Sequence, residues 1–186
     1  PPRRAASFAE RTARKVLANG LVIDVVENRA APTVSVVGLV AAGQATAAGK
    51  PALATLTANL LSRGTATRSK EQIGALLDNV GAERSYGADL TEAGFRASGM
   101  ARDLPLILEV LSEEIRQPRF AADELAKARK EIEAGYLRAD DDTSWRAMER
   151  LGQLVYPQGH PYRPAGRAER LASLAALGEQ DLRAFH

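Results

Sequence analysis

The chain has no cysteine. That removes disulfides, thiolate metal sites and a cysteine nucleophile together, and it suits the cytoplasm and a bacterial periplasm equally well. Histidine is nearly as scarce, with 2 in 186 residues. His160 and His186 lie far apart, without the close spacing that lets two imidazoles share one ion. No apolar run approaches the roughly 20 residues needed to cross a bilayer. The chain starts at Pro1 without a hydrophobic signal region, so the native N-terminus is expected to have been removed. Aromatic residues make up only 5%, which leaves Leu, Val, Ile and Ala to build the core. An excess of one charge is lacking too, since 25 Lys and Arg face 23 Asp and Glu. Nucleic-acid binding needs clustered cations or stacking aromatics, and neither is present. Pro1-Pro2-Arg3-Arg4 reads as a frayed terminus rather than a phosphate-binding arm.

What remains is an ordinary globular composition, 45% hydrophobic and 26% charged. The length is enough for one large domain, or one domain with a helical annex. The start reads as a β-meander. Lys15-Val16-Leu17 leads through the hairpin signal Asn19-Gly20 into Leu21–Glu27, and the β-rich run Thr33–Val40 follows a loop over Asn28–Pro32. A helix is expected from about Pro51 to Gly64, with Leu53, Leu56, Leu60 and Leu61 on one side. Ser69 and Gln72 form a capping-box pattern for a second helix, Lys70–Val80, which Gly81-Ala82 stops. Glu83–Ala88 and Glu92–Met100 read as strands. Asp103 is placed to cap a helix reaching Arg116, which Pro118 closes. Asp123–Ala139 and Thr143–Val155 read as long helices, and Leu171–His186 as one or two short ones. This order, strands then helices then strands then helices, describes an α+β layer with an antiparallel-rich sheet and helices on one face, not a parallel βαβ sheet.

Several of these pieces also carry motifs. Ala52-Leu53-Ala54-Thr55-Leu56-Thr57-Ala58-Asn59-Leu60-Leu61 runs as a helix into a Gly64-Thr65 stop. Ahead of it stand Leu17–Leu21, Pro32–Val36 and Ala41-Ala42-Gly43. Behind it come Gln117-Pro118-Arg119-Phe120, Glu124-Leu125, Gly159-His160-Pro161-Tyr162 and Asp181–His186. In this order the set resembles the pitrilysin/insulinase family of inverted-zincin metallopeptidases, whose fold includes the mitochondrial processing peptidase. The resemblance covers nearly the whole chain.

In that family the helix before the Gly-Thr stop carries H-x-x-E-H. Counting back from the stop, the resemblance puts its two histidines and its glutamate on Thr55, Asn59 and Ala58. Aligning Glu124-Leu125 with the family's E-L puts the third zinc ligand on Gly135, with the carboxylates of Glu131 and Glu133 close by. Thr and Asn are poor zinc ligands, and Ala has no proton to exchange. The resemblance therefore implies a degenerate half of a peptidase pair, without metal or cofactor of its own. Zinc would belong only to an active partner half, on the same polypeptide or a separate subunit. Residues 1–186 would be a single half-domain. The family's half-domain continues past Phe185-His186 into another strand, which implies a truncated C-terminus and an incomplete edge through which copies associate. Active relatives add the peptide to a sheet edge that corresponds here to Gly81–Ala88, and this singles out Ser85 and Tyr86 as substrate contacts.

Other residues have plainer readings. Asp140-Asp141-Asp142 lacks the alternating spacing and central Gly of a calcium loop and reads as a solvated helix terminus. Ser98, Ser112 and Ser144 have no neighbouring His, and Gly38, Gly43 and Gly49 form no dinucleotide turn. His160 reads as a structural turn residue. Trp145 reads first as a core or helix–helix anchor and second as an interface residue, and the charges of Asp123–Ala139 as a solvated face. Two other functions stay open: a scaffold subunit like the respiratory-complex core proteins, and an enzyme with an unrelated site.

Overall fold

The computed structural model describes residues 7–186, so the reading of Pro1–Arg4 as a frayed terminus lies outside it. The chain divides into two compact units, Pro1–Thr33 and Val34–His186. In the first, β1 (Thr12–Val16) and β2 (Val22–Val26) pair antiparallel with Thr12 opposite Val26 and Val16 opposite Val22. The Asn19-Gly20 signal makes the turn. Gly20 sits at φ +86, where a side chain would be strained, and the Asn19 carboxamide oxygen accepts the Leu21 N–H at 3.2 Å. The ladder begins three residues before Lys15, because Thr12, Ala13 and Arg14 all find partners, with Arg14 3.6 Å from Asp24.

The second unit holds a three-stranded sheet in the order β3-β5-β4, with β3 at Thr33–Val40, β4 at Glu83–Ala88 and β5 at Ala93–Met100. The expected meander is therefore wrong in one respect: β3 joins β5 rather than the hairpin. Two glycines fit this pair together. A Cβ on Gly38 would lie 2.2 Å from the Phe95 ring, and one on Gly94 would lie 2.9 Å from Leu39. β4 and β5 are antiparallel, with Ser85 opposite Arg96 and Tyr86 opposite Phe95. Alternation then decides the faces. Val34, Val36, Tyr86, Phe95 and Ala97 turn inward onto α2 (Lys70–Asp78) and α3 (Leu104–Arg116), where Ile73, Leu77, Ile107, Val110 and Leu111 complete one core.

The remaining helices are α1 (Leu53–Leu61), α4 (Ala122–Asp140), α5 (Thr143–Val155), α6 (Arg167–Ala176) and α7 (Glu179–Phe185). Leu53, Leu56 and Leu60 of α1 form a second core with Phe120, Leu125, Ala128, Leu174, Leu177 and Leu182. The capping box at Ser69 and Gln72 forms as read. Asp103 does not cap α3. A 3-10 turn over Ala101–Asp103 leads straight into the helix, its Ala101 carbonyl accepting the Leu104 N–H, so the carboxylate is left beside Arg102 at 3.4 Å. Asp142 does cap α5, accepting the Ser144 and Trp145 N–H groups, so the acidic run is a helix terminus. α6 starts four residues before Leu171, because Arg170 is drawn inward to Glu149 and the Ala165 carbonyl. Trp145 is 47% exposed and belongs to neither core, but its ring lies 5.9 Å from the buried Arg170 guanidinium of α6, which is the helix–helix contact read for it. The water-facing stripe of α5 is made by Met148, Leu151, Leu154 and Val155. Among the described residues no helix is long and apolar enough to cross a membrane.

The Gly38–Phe95 fit yields a stability prediction. Gly38→Ala should destabilise the chain by about 1–3 kcal/mol through overpacking. Gly135→Ala is the control: no atom lies within 4 Å of the added Cβ, and the better helix former should stabilise by about 0.5–1 kcal/mol. Denaturant melts of the two variants against the parent check both signs.

Candidate functional site

α1 is apolar around most of its girth because it is covered from two sides. Leu53, Leu56 and Leu60 face α4, α6 and α7. Ala54, Thr57, Ala58 and Leu61 face the sheet across a cleft of about 440 Å³. The helix ends where Gly64 adopts φ +105, a conformation a side chain would strain. The next residues pair with the joint before α4: Arg119 donates its N–H to the Gly64 carbonyl, Ala66 donates to that of Gln117, and Thr65 bridges Pro118. The Gly-Thr stop and the Gln117–Phe120 joint, 53 residues apart if Gly64 and Gln117 are taken, are thus one structural element. Phe120, buried with φ +51, turns the chain into α4.

The positions that the resemblance assigns to zinc chemistry lie along α1 and α4. The Thr55 hydroxyl accepts a hydrogen bond from the Gln44 side chain at 3.3 Å. Ala58 is buried and forms part of the cleft wall. The Asn59 carboxamide oxygen accepts from Arg63 Nε at 2.9 Å. The same guanidinium reaches α4, donating to Glu124 Oε2 at 3.2 Å and to Glu131. Glu124, Glu131 and Gly135 follow helical spacing on one stripe of α4, so Gly135 falls one turn beyond Glu131. The charged helix is therefore not simply a solvated face: Glu124, Leu125 and Ala128 are buried. Among the described residues no three His, Cys, Asp or Glu side chains are placed to hold a metal ion.

The electrostatics follow from these contacts. Arg63 and Glu124 side chains are 8% and 10% exposed. Hydrogen bonds from Lys127 and then Arg63 hold the Glu124 carboxyl below its ordinary 4.5, and Arg63 does the same to Glu131. Burial works against the Arg63 charge, but its two carboxylate partners outweigh it and raise its pKa.

Ser85 and Tyr86 are adjacent on β4 but point to opposite faces. Ser85 is exposed. Tyr86 turns inward, and its hydroxyl donates to the buried Glu114 of α3 at 2.6 Å. Burial, then the Glu114 carboxylate, pushes the phenol far above its usual range. Arg84 also grips Glu114 through Nε and Nη2, and Nη2 reaches the Ser62 carbonyl at the end of α1. Tyr86 still contributes its ring and backbone to the cleft. His160 has the structural role read for it: its Nδ1 accepts the Tyr162 N–H at 3.1 Å, with the ring stacked on Tyr156. His186 packs its ring edge on Phe120 and pairs with the Ile115 carbonyl. Sequence reasoning missed Arg63 and the Arg84–Glu114 pair. The only local signal for Arg63 was its place one helical turn after Asn59.

The insulinase family, peptidase family M16, matches residues 24–159, and the chain belongs to it. No match was found among curated proteins. Among solved structures it is similar to a peptidase M16 inactive domain from Pseudomonas fluorescens, at 24% identity and TM-score 0.84 over 94% of this chain and 42% of that one. A protease from Helicobacter pylori shares 18% identity at TM-score 0.81, again over 94% and 42%. The ferredoxin protease FusC in complex with Arabidopsis ferredoxin gives 17% identity and TM-score 0.72, over 97% of this chain and 20% of that one. At these identities the likeness shows the fold, and the chain spans less than half the length of each structure it matches.

The Arg63 cluster predicts a pH dependence. Both carboxylates are depressed in the folded state, so their stabilisation is present above about pH 4.5 and is lost as the pH falls through the lower folded values. Arg63→Met should cost about 2–3 kcal/mol at pH 7, at the low end for a broken buried pair because Lys127 still holds Glu124. Melting temperature recorded from pH 7 down to pH 3 should fall less steeply for that variant than for the parent.

Proposed function

We propose that the chain is the non-catalytic half of a zinc metallopeptidase pair, holding peptide for an active half that supplies the metal. One observation carries this reading: the framework around α1 is kept while its donor positions cannot serve zinc. Thr55 offers a hydroxyl already engaged by Gln44, Ala58 and Gly135 offer nothing, and the Asn59 oxygen is committed to Arg63. Zinc favours imidazole, thiolate or carboxylate and needs at least three protein ligands. The nearby carboxylate of Glu131 is tied to the same guanidinium, so this donor set does not fit the ion.

Family membership and the likeness to an inactive M16 domain support the same assignment. The water-facing stripe of α5, with Met148 66% and Leu154 67% exposed, supports association with a further chain or segment. That stripe suits the scaffold reading equally, so function has to separate the two. Mixed with an active family half bearing intact H-x-x-E-H, the chain should restore or raise peptide cleavage, and alone it should cleave nothing. After dialysis against zinc it should retain no stoichiometric, chelator-removable metal. Cleavage unchanged by adding the chain points to scaffold. Tightly held zinc overturns the proposal.

A further inference from the structure

α5 is held to the body by its polar side. Glu149 meets Arg170, the Gln153 carbonyl accepts from Arg163, and a Cβ on Gly152 would lie 2.6 Å from Pro164. None of the 13 residues of the helix is buried. Its apolar side therefore faces water, the reverse of what burial favours. Met148, Leu151 and Val155 follow one another at spacings of three and four residues, which makes a straight seam along two helical turns. They are 66%, 51% and 62% exposed, and Leu154 beside them is 67% exposed.

A row of charge borders this seam. Arg146 and Arg150 lie one turn apart, and the same row continues to Leu154. Both arginines are exposed, and among the described residues neither pairs with a carboxylate. The acids of α5 and its cap are already engaged, Glu149 by Arg170 and Asp142 by the Ser144 and Trp145 N–H groups. A second copy of α5 would thus bring an apolar seam but no free carboxylate to these arginines. An anionic membrane would supply the charge, but interfacial helices seat aromatic residues at that boundary. The aromatic residue of α5, Trp145, is turned to Arg170 instead. A helix of the same period with carboxylates beside its apolar face satisfies both the seam and the arginines.

We propose that this face of α5 docks an amphipathic helix of a partner, which lays its apolar side along Met148, Leu151 and Val155 and sets carboxylates against Arg146 and Arg150. Helices of matching period pack in this way at a crossing angle of about 20°. The bordering charges select the partner more than they tighten its hold. The proposal goes beyond the peptidase reading and does not depend on it, since a scaffold and a peptide-holding half both need a face for a companion.

The test uses the full chain and three fluorescent synthetic helices: one with a Leu face bordered by Glu, the same with Lys in place of Glu, and the Glu helix with Gln in place of Leu. At low salt, fluorescence anisotropy should give the Glu-bordered helix an affinity about tenfold above the Lys-bordered one. The gap should shrink as salt is raised, and the Gln-faced helix should not bind. Leu151→Ser should weaken the Glu-bordered helix about tenfold, through the lost apolar contact. Arg146→Glu combined with Arg150→Glu should reverse the preference, so that the Lys-bordered helix binds better. These residues face water, so both variants should melt with the parent. Equal affinity for the Glu- and Lys-bordered helices, binding of neither, or binding untouched by Leu151→Ser overturns the proposal. So does self-association in sedimentation equilibrium that Leu151→Ser breaks, which makes a second copy the occupant. Attachment to phosphatidylglycerol vesicles that the same variant abolishes overturns it too, in favour of a lipid surface.

Discussion

α1 has almost no side left for water, and the rest of the second unit is arranged around that fact. Six of its nine residues are buried, including Leu53, Leu56 and Leu60 on one flank and Ala54 and Ala58 on the other. Each large side chain removed from water contributes about 1.5–3 kcal/mol, far more than an exposed ion pair at about 0–1 kcal/mol. The helix therefore stays where apolar packing puts it, whether or not its polar positions do chemistry. This explains how a site can lose its ligands without losing its frame. The leucines that hold α1 are on a different stripe from Thr55 and Asn59, so mutation at the latter does not loosen the former.

Something must still satisfy the acidic stripe of α4 that faces α1. Arg63 does so with one planar group: Nε is spent on Asn59, one terminal nitrogen on Glu124 and the other on Glu131. A guanidinium suits this because it stays charged and presents its donors in a fixed fork. It joins the two helices through Asn59, one of the positions that the resemblance gives to metal chemistry, and through Glu124 and Glu131 on the stripe that leads to Gly135. The consequence is mutual exclusion, since the oxygens that face the guanidinium are no longer available to an ion.

What the sequence revealed and what it hid divide by the range of the interaction. The Asn19-Gly20 turn and the Ser69–Gln72 box were legible because each is complete within four residues. The resemblance was legible because motif order survives where pairing cannot be seen. The partner of β3 was hidden, since it depends on Gly38 receiving Phe95 from 57 residues away. Arg63 was hidden for the same reason: its value comes from α4, which no local pattern on α1 announces. Trp145 was half legible: it meets α6 as a helix–helix contact, but its neighbour there is the Arg170 guanidinium rather than an apolar core. Asp103 misled because a 3-10 turn supplied the carbonyl bonds before a side-chain cap was needed.

The replacement at position 58 has consequences beyond the loss of a proton carrier. A buried carboxylate in an apolar wall carries a desolvation cost, which an active enzyme offsets with its metal and its substrate. Without them, a glutamate there would be a charge facing Ala54, Leu61 and Phe95 with no partner, and alanine avoids that cost. The same change lowers the polarity of the cleft wall that Ala58 lines. Relief of desolvation and gain of an apolar pocket are thus two effects of one substitution. Neither effect disturbs the leucines that hold α1 in place.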